Sequence, residues 1–480
     1  MTEGGADRSM PETERVQMQS RLYSRHSRNY VESVSVEVCN IMTQLGYGEE
    51  IRRMRVEKYR AQDTQVNSIA NIFSCQTTVG SKAEGLTFSF ESDRDHIIVR
   101  EGVTCLEAGV DLRTIPDDIE VYRMDTSVYP GHCRMLLERP ASKRFIEIIN
   151  SLCDDGKGNT ILSSGLFLDG CAKYTHGFWG AIPGERAGPS LPVSTKIGGF
   201  KSDIVFAFPC QCPGILHRWA HRPRLWPQPD VVQKIVLLGS FVTPIGFKGS
   251  EYGYLEWRIC FNTGETELVN NLTDTQAKVY VILKMILKEI LKPKTKAVTS
   301  YVLKNVILWQ AESNSPALFQ ERNLIYWLHD ALGTLRTAIS SKQLPYYMIP
   351  ERNLMAACGL QEVQQHKLVA DILDMMDEGP RVILRLPKIR QAIIGHPEPL
   401  LWLIRRKLEL EMIYLEFMNR MLQIRNENWE FDCSDTILQE ILRRQSEIHR
   451  EVSLRMFMEG NIVYNPYDIN FVNIFYKIQM

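Results

Sequence analysis

Two neighbouring stretches of the sequence carry residue types that could act together on a phosphate group. A Gly-Ser turn, Gly80-Ser81, is followed by an Asp-x-Asp pair, Asp93 and Asp95, and then by an apolar run. A strand that starts near Thr87 would put both carboxylates on one face, where they can hold a divalent cation. Backbone N–H groups and the hydroxyl of the turn suit a phosphate. The pattern predicts metal-dependent nucleotidyl transfer, although similar residues also occur by chance in solvated turns.

A third acid opens a second apolar run. Asp203 comes directly before Ile204-Val-Phe-Ala-Phe208, which reads as a strand. Alone, such an acid is more often a turn or strand-start residue. Together with Asp93 and Asp95 it completes a triad, and a third carboxylate allows two metal ions to be held.

Length and composition limit the class of protein. A chain of 480 residues is too long for one ordinary core, so we expect two or three domains. Hydrophobic residues make up 44% and charged residues 24%, as in globular proteins. The net charge is -1, so a site for a polyanion must be a local patch. Eleven scattered cysteines and the lack of a membrane-length apolar run indicate a cytoplasmic protein with free thiols and no membrane association.

Other elements must position the acids. An apolar helical period from Asn29 to about Arg60 predicts a long helix that breaks near Gly46. Short strands are predicted at 119–124, 235–238, 241–244 and 256–261, and a helix is predicted to begin near 139 and to reach about 153. From Asp274 onward the sequence predicts helices, including 300–310 and 320–341 and a charged helical segment over 361–480.

Four stretches resemble one family, the Mab-type nucleotidyltransferases, and within it the cyclic GMP-AMP synthase-like receptors of animals. They are GSKAEGL…SDRD, KSDIVFAF, LEWRICF and LPYYMIPERNL, and the resemblance covers roughly residues 30–358. It implies an α+β bilobal nucleotidyltransferase fold, with a mixed sheet, a long spine helix, a helical lobe and a C-terminal helical extension. We expect a flexible tail over 1–28, a nucleotidyltransferase lobe over 29–255, a helical lobe over 256–360 and the extension over 361–480.

The resemblance also implies an activity. Two nucleoside triphosphates (ATP, GTP or others) would be converted to a cyclic dinucleotide by an innate immune sensor, with Mg²⁺ or Mn²⁺ held by Asp93, Asp95 and Asp203. Gly80 and Ser81 would hold a triphosphate. Further nucleotide contacts are expected at Arg258, Lys284, Ser300 and Tyr301. The ordinary alternatives are an ion pair for Arg258, a surface position for Lys284 and a core position for Tyr301.

Activation by double-stranded RNA or DNA, with a homodimer on activation, is a further expectation from the resemblance. Two basic clusters are candidate phosphate contacts, although such runs are often solvated faces: Arg52, Arg53, Arg55 and Lys58, and Lys288, Lys292, Lys294 and Lys296. The interval from Asn270 to Tyr280 lacks the cysteines and histidines of the vertebrate synthase's zinc insertion. Another set of zinc-ligand residue types is Cys210, Cys212, His217 and His221, but the first pair is unusually close, and we expect no structural zinc.

Two other functions stay open. Some relatives in this family have lost the metal acids and act as developmental or binding proteins, and the oligoadenylate synthases make linear products by the same chemistry. The intact triad argues against a silent protein, because three neighbouring carboxylates repel one another without a metal. Nothing in the sequence separates a cyclic from a linear product.

Overall fold

The computed structural model describes residues 21–69, 74–175, 182–184, 188–194, 201–292, 297–395, 400–425 and 432–458. The chain divides into two compact units. The helical unit consists of Met1–Leu45, Leu272–Leu344 and Leu354–Gly395, and the sheet unit consists of Gly46–Asn271, Pro345–Asn353 and His396–Met480. The C-terminal segment therefore belongs to the same unit as the Gly-Ser turn and the three acids.

The described residues of the sheet unit contain one 12-stranded mixed sheet. Its main path runs β1-β2-β10-β11-β12-β5-β4-β3. The strands are β1 (Ser74–Val79), β2 (Arg94–Arg100), β3 (Val103–Leu106), β4 (Glu120–Asp125), β5 (His132–Arg139), β6 (Leu152–Asp154), β7 (Thr160–Leu162), β8 (Ile182–Pro183), β9 (Leu191–Ser194), β10 (Lys201–Gln211), β11 (Ser240–Thr243) and β12 (Glu256–Cys260).

Helices cover most of the remaining described chain. In order they are α1 (Arg21–Arg25), α2 (Arg28–Met42), α3 (Glu49–Ile69), α4 (Gly80–Ala83), α5 (Ile146–Ile149), α6 (Ser164–Thr175), α7 (Pro213–Ala220), α8 (Pro229–Leu238), α9 (Asn262–Asn270), α10 (Asp274–Ile286), α11 (Ser300–Ser313), α12 (Leu324–Ser341), α13 (Glu362–Glu378), α14 (Pro387–Ile394), α15 (Leu400–Gln423) and α16 (Thr436–Met458). The mixture of a large sheet with many helices confirms the α+β class.

The strands that carry the acids are fixed by apolar packing. β2 pairs with β1 in antiparallel orientation and with β10 in parallel orientation. Val79, Ile97, Val99 and Ala207 form one buried cluster across these three strands. Because side chains alternate along a strand, Asp95 shares a face with Ile97 and Val99. The acids thus lie where the apolar face of the strands begins.

Helix α3 is the long helix that supports this part of the sheet. It packs against β1 on one side and against α15 on another. It buries Val56 and Tyr59 but also Arg52 and Arg55, which is unusual for arginine. The predicted break near Gly46 is confirmed, since α2 ends at Met42, α3 begins at Glu49, and Gly46 has a positive φ of 84°.

The helical unit is built around α10, α11 and α12. A capping box begins α10, in which the Thr273 hydroxyl accepts from the Gln276 N–H and the Gln276 side chain accepts from the Thr273 N–H. Helix α10 buries Val279, Ile282 and Ile286 at helical spacing and packs against α11 and α12. Helices α12 and α13 pack together in turn.

Several sequence expectations about single elements need correction. Residues 235–238 are helical, because Pro229 and Asp230 begin α8 and Ile235 continues the buried face that Val231 starts, although the other three apolar residues of the run are exposed. Of the helix predicted from 139 to 153, only α5 (Ile146–Ile149) is helical. The strand predicted from Thr87 begins only at Arg94, since the residues before it form turns. The strands at 119–124, 241–244 and 256–261 are confirmed, with small shifts of their ends. The helices predicted from Asp274 onward are confirmed within the described residues up to 458, and 459–480 lie outside those residues.

Among the described residues, no helix combines the length and the apolar character needed to span a membrane. All eleven cysteines lie within the described ranges, and each of them is a free thiol.

Candidate active site

Gly80 and Ser81 are the first two residues of α4, which directly follows β1, and Gly80 lies against the side chain of an acid, Asp95. Gly80 has a φ of 70°, which favours glycine. A Cβ built on Gly80 would lie closer than 3.0 Å to Oδ2 of Asp95. The absence of a side chain at Gly80 therefore lets the Asp95 carboxylate occupy the space beside the turn.

The register of the sheet brings the second and third acids together. Asp95 on β2 is the partner of Asp203 on the parallel strand β10, and on its other side it pairs with Val79. Residues in register on adjacent strands project their side chains to the same face. Burial raises the pKa of Asp203, and the negative charge of Asp93 acts in the same direction. Asp93 is thus near enough for its charge to affect Asp203.

Asp93 itself precedes the first residue of β2 and is exposed. Within the described ranges, no three His, Cys, Asp or Glu side chains are grouped so that they could hold one metal ion. The donor set nevertheless has the right chemistry, because carboxylate oxygens are the ligands that Mg²⁺ and Mn²⁺ prefer. Two acids of the predicted triad are therefore placed by the sheet, and a complete site requires Asp93 to approach them.

A second network beside the acids escaped the sequence interpretation. The Asp63 carboxylate on α3 accepts from the Thr78 N–H at 2.7 Å and from the Thr78 hydroxyl at 2.6 Å. Arg94 donates to that hydroxyl at 2.8 Å and lies 3.5 Å from Asp63. Burial raises the pKa of Asp63, although both hydrogen bonds from Thr78 oppose the rise. These contacts fix the ends of β1 and β2 that flank the Gly-Ser turn.

The loop after the turn is also tied down. Lys82 is 3% exposed and donates to the carbonyl oxygens of Phe88 at 3.3 Å and Ser89 at 2.5 Å. Burial lowers the pKa of Lys82 to about 8, while the charge of Glu411 acts in the opposite direction. Gly85 has a φ of 67°, and a Cβ on it would lie closer than 3.0 Å to the Arg52 carbonyl oxygen. The second glycine of the GSKAEG stretch is thus explained by contact with the backbone of α3.

The predicted nucleotide contact Arg258 lies on β12 in the sheet unit. It is in register with Thr243 on β11 and His132 on β5. Its Nε donates to Cys260 Sγ at 3.4 Å. Burial lowers the pKa of His132 to about 3, and the charges of Arg352 and Arg258 lower it further. Arg258 is therefore part of a positive group in which the histidine is neutral near pH 7.

The other predicted nucleotide contacts belong to the helical unit. Lys284 lies on α10, with its Nζ 5.4 Å from the centre of the Tyr280 ring. Ser300 is the exposed first residue of α11. Tyr301 follows it, partly buried, and its carbonyl oxygen accepts from the Asn305 side chain at 2.9 Å. All three residues therefore lie in the helical unit, whereas Arg258 and the acids lie in the sheet unit.

The predicted nucleic-acid contacts on α3 need correction. Arg55 is fully buried against Glu411, and Arg52, 6% exposed, donates to the Val269 carbonyl oxygen at 3.5 Å. Because both side chains are buried, neither can contact a duplex, and the prediction of nucleic-acid binding is wrong for these two residues. Lys58 is half-buried and pairs with Glu416 at 3.0 Å. Exposed positions are Arg53, Lys288 and Lys292, whereas Lys294 and Lys296 lie outside the described residues.

The four residues considered for zinc do not form a metal-binding group. Cys210 and Cys212 are buried, and Cys212 Sγ lies 2.9 Å from Ser240 Oγ. His217 and His221 are exposed and stack on each other, with ring centres 3.8 Å apart.

The segment from α10 into α13 is similar to a known type of domain. Residues 275–373 match the Mab-21 protein HhH/H2TH-like domain. The match supports a relation to the nucleotidyltransferase-like Mab-21 family, which is the coarser part of the sequence prediction. It covers the helical segment that carries Lys284, Ser300 and Tyr301, and it does not reach the Gly-Ser turn or the three acids. The Mab-21 match is equally compatible with an enzyme and with a developmental protein of this family.

Proposed function

We propose that this protein is a metal-dependent nucleotidyltransferase that joins two nucleoside triphosphates into a cyclic dinucleotide. The observation that carries the proposal is the register of β2 and β10, which pairs Asp95 with Asp203 beside Gly80. Acids at neighbouring strand positions repel each other unless a cation lies between them, so a purely structural turn gains nothing from them. The Mab-21 domain is consistent with this class of protein.

Each transfer forms one P–O bond and breaks another. A ribose hydroxyl oxygen attacks the α-phosphorus of a nucleoside triphosphate, the bond to the pyrophosphate oxygen breaks, and pyrophosphate leaves with the bonding electron pair. The hydroxyl proton passes to solvent. Two transfers between the same two nucleotides close a ring and release two pyrophosphates, whereas repeated transfer without closure gives a linear product.

Each residue of the candidate site has a separate proposed role. Asp95 and Asp203 would hold Mg²⁺ or Mn²⁺, and Asp93 would complete the donor set. When bound, such ions lower the pKa of an attacking hydroxyl and neutralise charge on the leaving pyrophosphate. Gly80 and Ser81 offer backbone N–H groups and a hydroxyl to the triphosphate. Arg258 adds positive charge, and we propose Lys284, Ser300 and Tyr301 as further nucleotide contacts.

A double-stranded RNA or DNA activator would bind the exposed basic residues, of which Arg53, Lys288 and Lys292 are described. Such binding would be independent of sequence and would weaken steeply with salt. We propose an innate immune sensor that acts in the cytoplasm, with a homodimer as its active form.

A catalytically silent Mab-type binding protein is the second candidate function. The observation that favours it is that the acids do not form a three-ligand group in the part of the chain that the structure describes. Asp93 is exposed before β2 and would remain solvated. In that case the protein would bind a nucleotide or another ligand without transfer.

The test uses purified protein, labelled ATP, GTP, CTP and UTP, and Mg²⁺ or Mn²⁺. Reactions are run without duplex, with double-stranded RNA and with double-stranded DNA, each beside Asp95→Asn. A phosphatase-resistant product that the variant fails to make supports the cyclic synthase. A phosphatase-sensitive ladder supports a linear synthase, and equal product from Asp95→Asn would show that this acid group is not catalytic. No product, together with no Mn²⁺ binding, supports the silent protein.

A further inference from the structure

A fully buried ion pair joins the C-terminal segment to helix α3. Glu411 of α15 and Arg55 of α3 lie 356 residues apart in sequence, and both side chains are 0% exposed. Arg55 donates from Nη2 to Glu411 Oε2 at 2.7 Å and from Nε to both carboxylate oxygens at 3.1 and 3.2 Å. Removing either partner would leave a buried charge without its counter-ion, so the two helices are strongly coupled at this point.

Glu411 has a second set of contacts, which lead to the loop that follows the Gly-Ser turn. Its Oε1 accepts from the Ser89 N–H at 2.8 Å and lies 3.2 Å from the Ser89 hydroxyl. The Ser89 carbonyl oxygen in turn accepts from Lys82, which follows the Gly-Ser turn directly. One carboxylate on α15 therefore fixes the far end of the loop that begins at Gly80.

Arg55 holds the same loop from the other side. Its Nη1 donates to the carbonyl oxygen of Gly85 at 3.2 Å and to that of Gly46 at 2.7 Å. The Phe88 ring is contacted by two cations, Arg55 at 4.4 Å and Lys407 of α15 at 4.3 Å from the ring centre. Every charged group in this cluster that comes from α3 or α15 touches the segment between Gly80 and Ser89.

The remainder of α15 covers the neighbouring face of α3. Tyr59 forms a buried cluster with Met412 and Leu415. Next to this cluster, Lys58 pairs with Glu416. Arg55 and Lys58, two of the four residues predicted as nucleic-acid contacts on α3, belong to this face, whereas Arg53 is exposed. In the structure α15 of the same chain covers this face of α3.

We propose that Glu411 is a positioning residue and that α15 holds the loop Gly80–Ser89 in the conformation that sets the Gly-Ser turn against Asp95. The covered face of α3 is then closed to a duplex, and any activator must bind elsewhere. The effect on activity rests on the proposed function, whereas the effect on the loop does not. Since Glu411 does not touch the reacting atoms, it acts only through Arg55 and Ser89.

The first test measures amide hydrogen exchange in the full chain. In Glu411→Ala, exchange of the amides between Gly80 and Ser89 should rise at least tenfold, while the centre of β2 keeps its protection. Glu411→Gln keeps an acceptor for Ser89 but loses the charge, and it should give a smaller rise. The matched control is Glu416→Gln, which breaks a contact between the same two helices without touching the loop. Unchanged loop exchange in a folded Glu411→Ala or Glu411→Gln protein would overturn the proposal.

A second measurement needs no variant and covers the case in which neither substitution folds. In the parent protein under low denaturant, the loop amides should lose protection together with those of α15. Loop amides that stay protected after α15 has opened would show that the helix does not hold the loop.

Nucleotide binding separates this proposal from the proposed function. The affinity for Mn²⁺·ATP should fall at least tenfold in Glu411→Ala and remain within twofold of the parent in Glu416→Gln. Parent protein that binds no Mn²⁺·ATP but shows the predicted loop exchange would refute the proposed function and leave the positioning role intact. Parent protein that binds Mn²⁺·ATP, with Glu411→Ala binding equally well, would refute the positioning role alone.

Discussion

Replacing Gly80 by alanine tests whether the Gly-Ser turn sets the position of Asp95. Gly80 has a φ of 70°, and a left-handed backbone costs an alanine ~1–2 kcal/mol. The new Cβ would also overlap Oδ2 of Asp95, which has to retreat by about 1 Å to reach van der Waals distance. Displacement of a reacting group by ~1 Å can cost on the order of 10²-fold in rate.

Gly156→Ala is the matched control. Gly156 has a φ of 75°, and a Cβ built there has nothing within 4 Å, so only the backbone strain applies. Both variants should therefore unfold a few degrees below the parent, as expected for ~1–2 kcal/mol, with any extra loss in Gly80→Ala due to crowding. Only Gly80→Ala should lose Mn²⁺·ATP affinity and nucleotidyl transfer. Equal affinity and equal transfer in the two variants would refute the claim that the turn positions Asp95.

Three further predictions concern the stability of the fold. Gly85→Ala should destabilise the protein by more than the ~1–2 kcal/mol of backbone strain, because its Cβ meets the Arg52 carbonyl oxygen, which cannot rotate away; a melting temperature equal to that of the parent would contradict this. Asp63→Ala should cost about 1–3 kcal/mol, since the Thr78 N–H loses its acceptor, and a denaturant midpoint like that of the parent would show otherwise. Burial lowers the pKa of His329 from 6.5 to about 4, so the unfolded chain binds the extra proton first as pH falls. The free energy of unfolding should therefore fall by ~3 kcal/mol between pH 6.5 and 4 because of this group. In His329→Gln, this part of the pH dependence of the free energy of unfolding should be absent.

The features that could be predicted from the sequence are those that depend on residues close together in the chain. Gly80, Asp95 and Asp203 could be found because a Gly-Ser turn and two acid-led apolar strands are local features, and parallel or antiparallel pairing then brings them together. The strand predicted at 235–238 is wrong because a run of four apolar residues fits a strand and a helix equally well. Pro229 and Asp230 were the signals that would have identified the helix.

Long-range ion pairs lay beyond sequence reasoning. The sequence places Arg55 in a basic run that fits a solvated or phosphate-binding face, since nothing near it in the chain shows that it is buried. Its partner Glu411 lies among many charges in the C-terminal segment and is 356 residues away. Only the fold reveals that these two charges meet and that together they contact the loop after the Gly-Ser turn.

The most direct measurement is Mn²⁺ binding in the presence of ATP, followed by calorimetry or by the Mn²⁺ electron paramagnetic resonance signal. The parent is compared with Asp95→Asn and Asp203→Asn, and Asp111→Asn, an exposed acid paired with Arg113, serves as control. If Asp95 and Asp203 hold a divalent ion with a nucleoside triphosphate, both site variants lose binding while Asp111→Asn matches the parent. Binding that is equal in all four proteins would contradict a metal-nucleotide site at the start of β2 and β10.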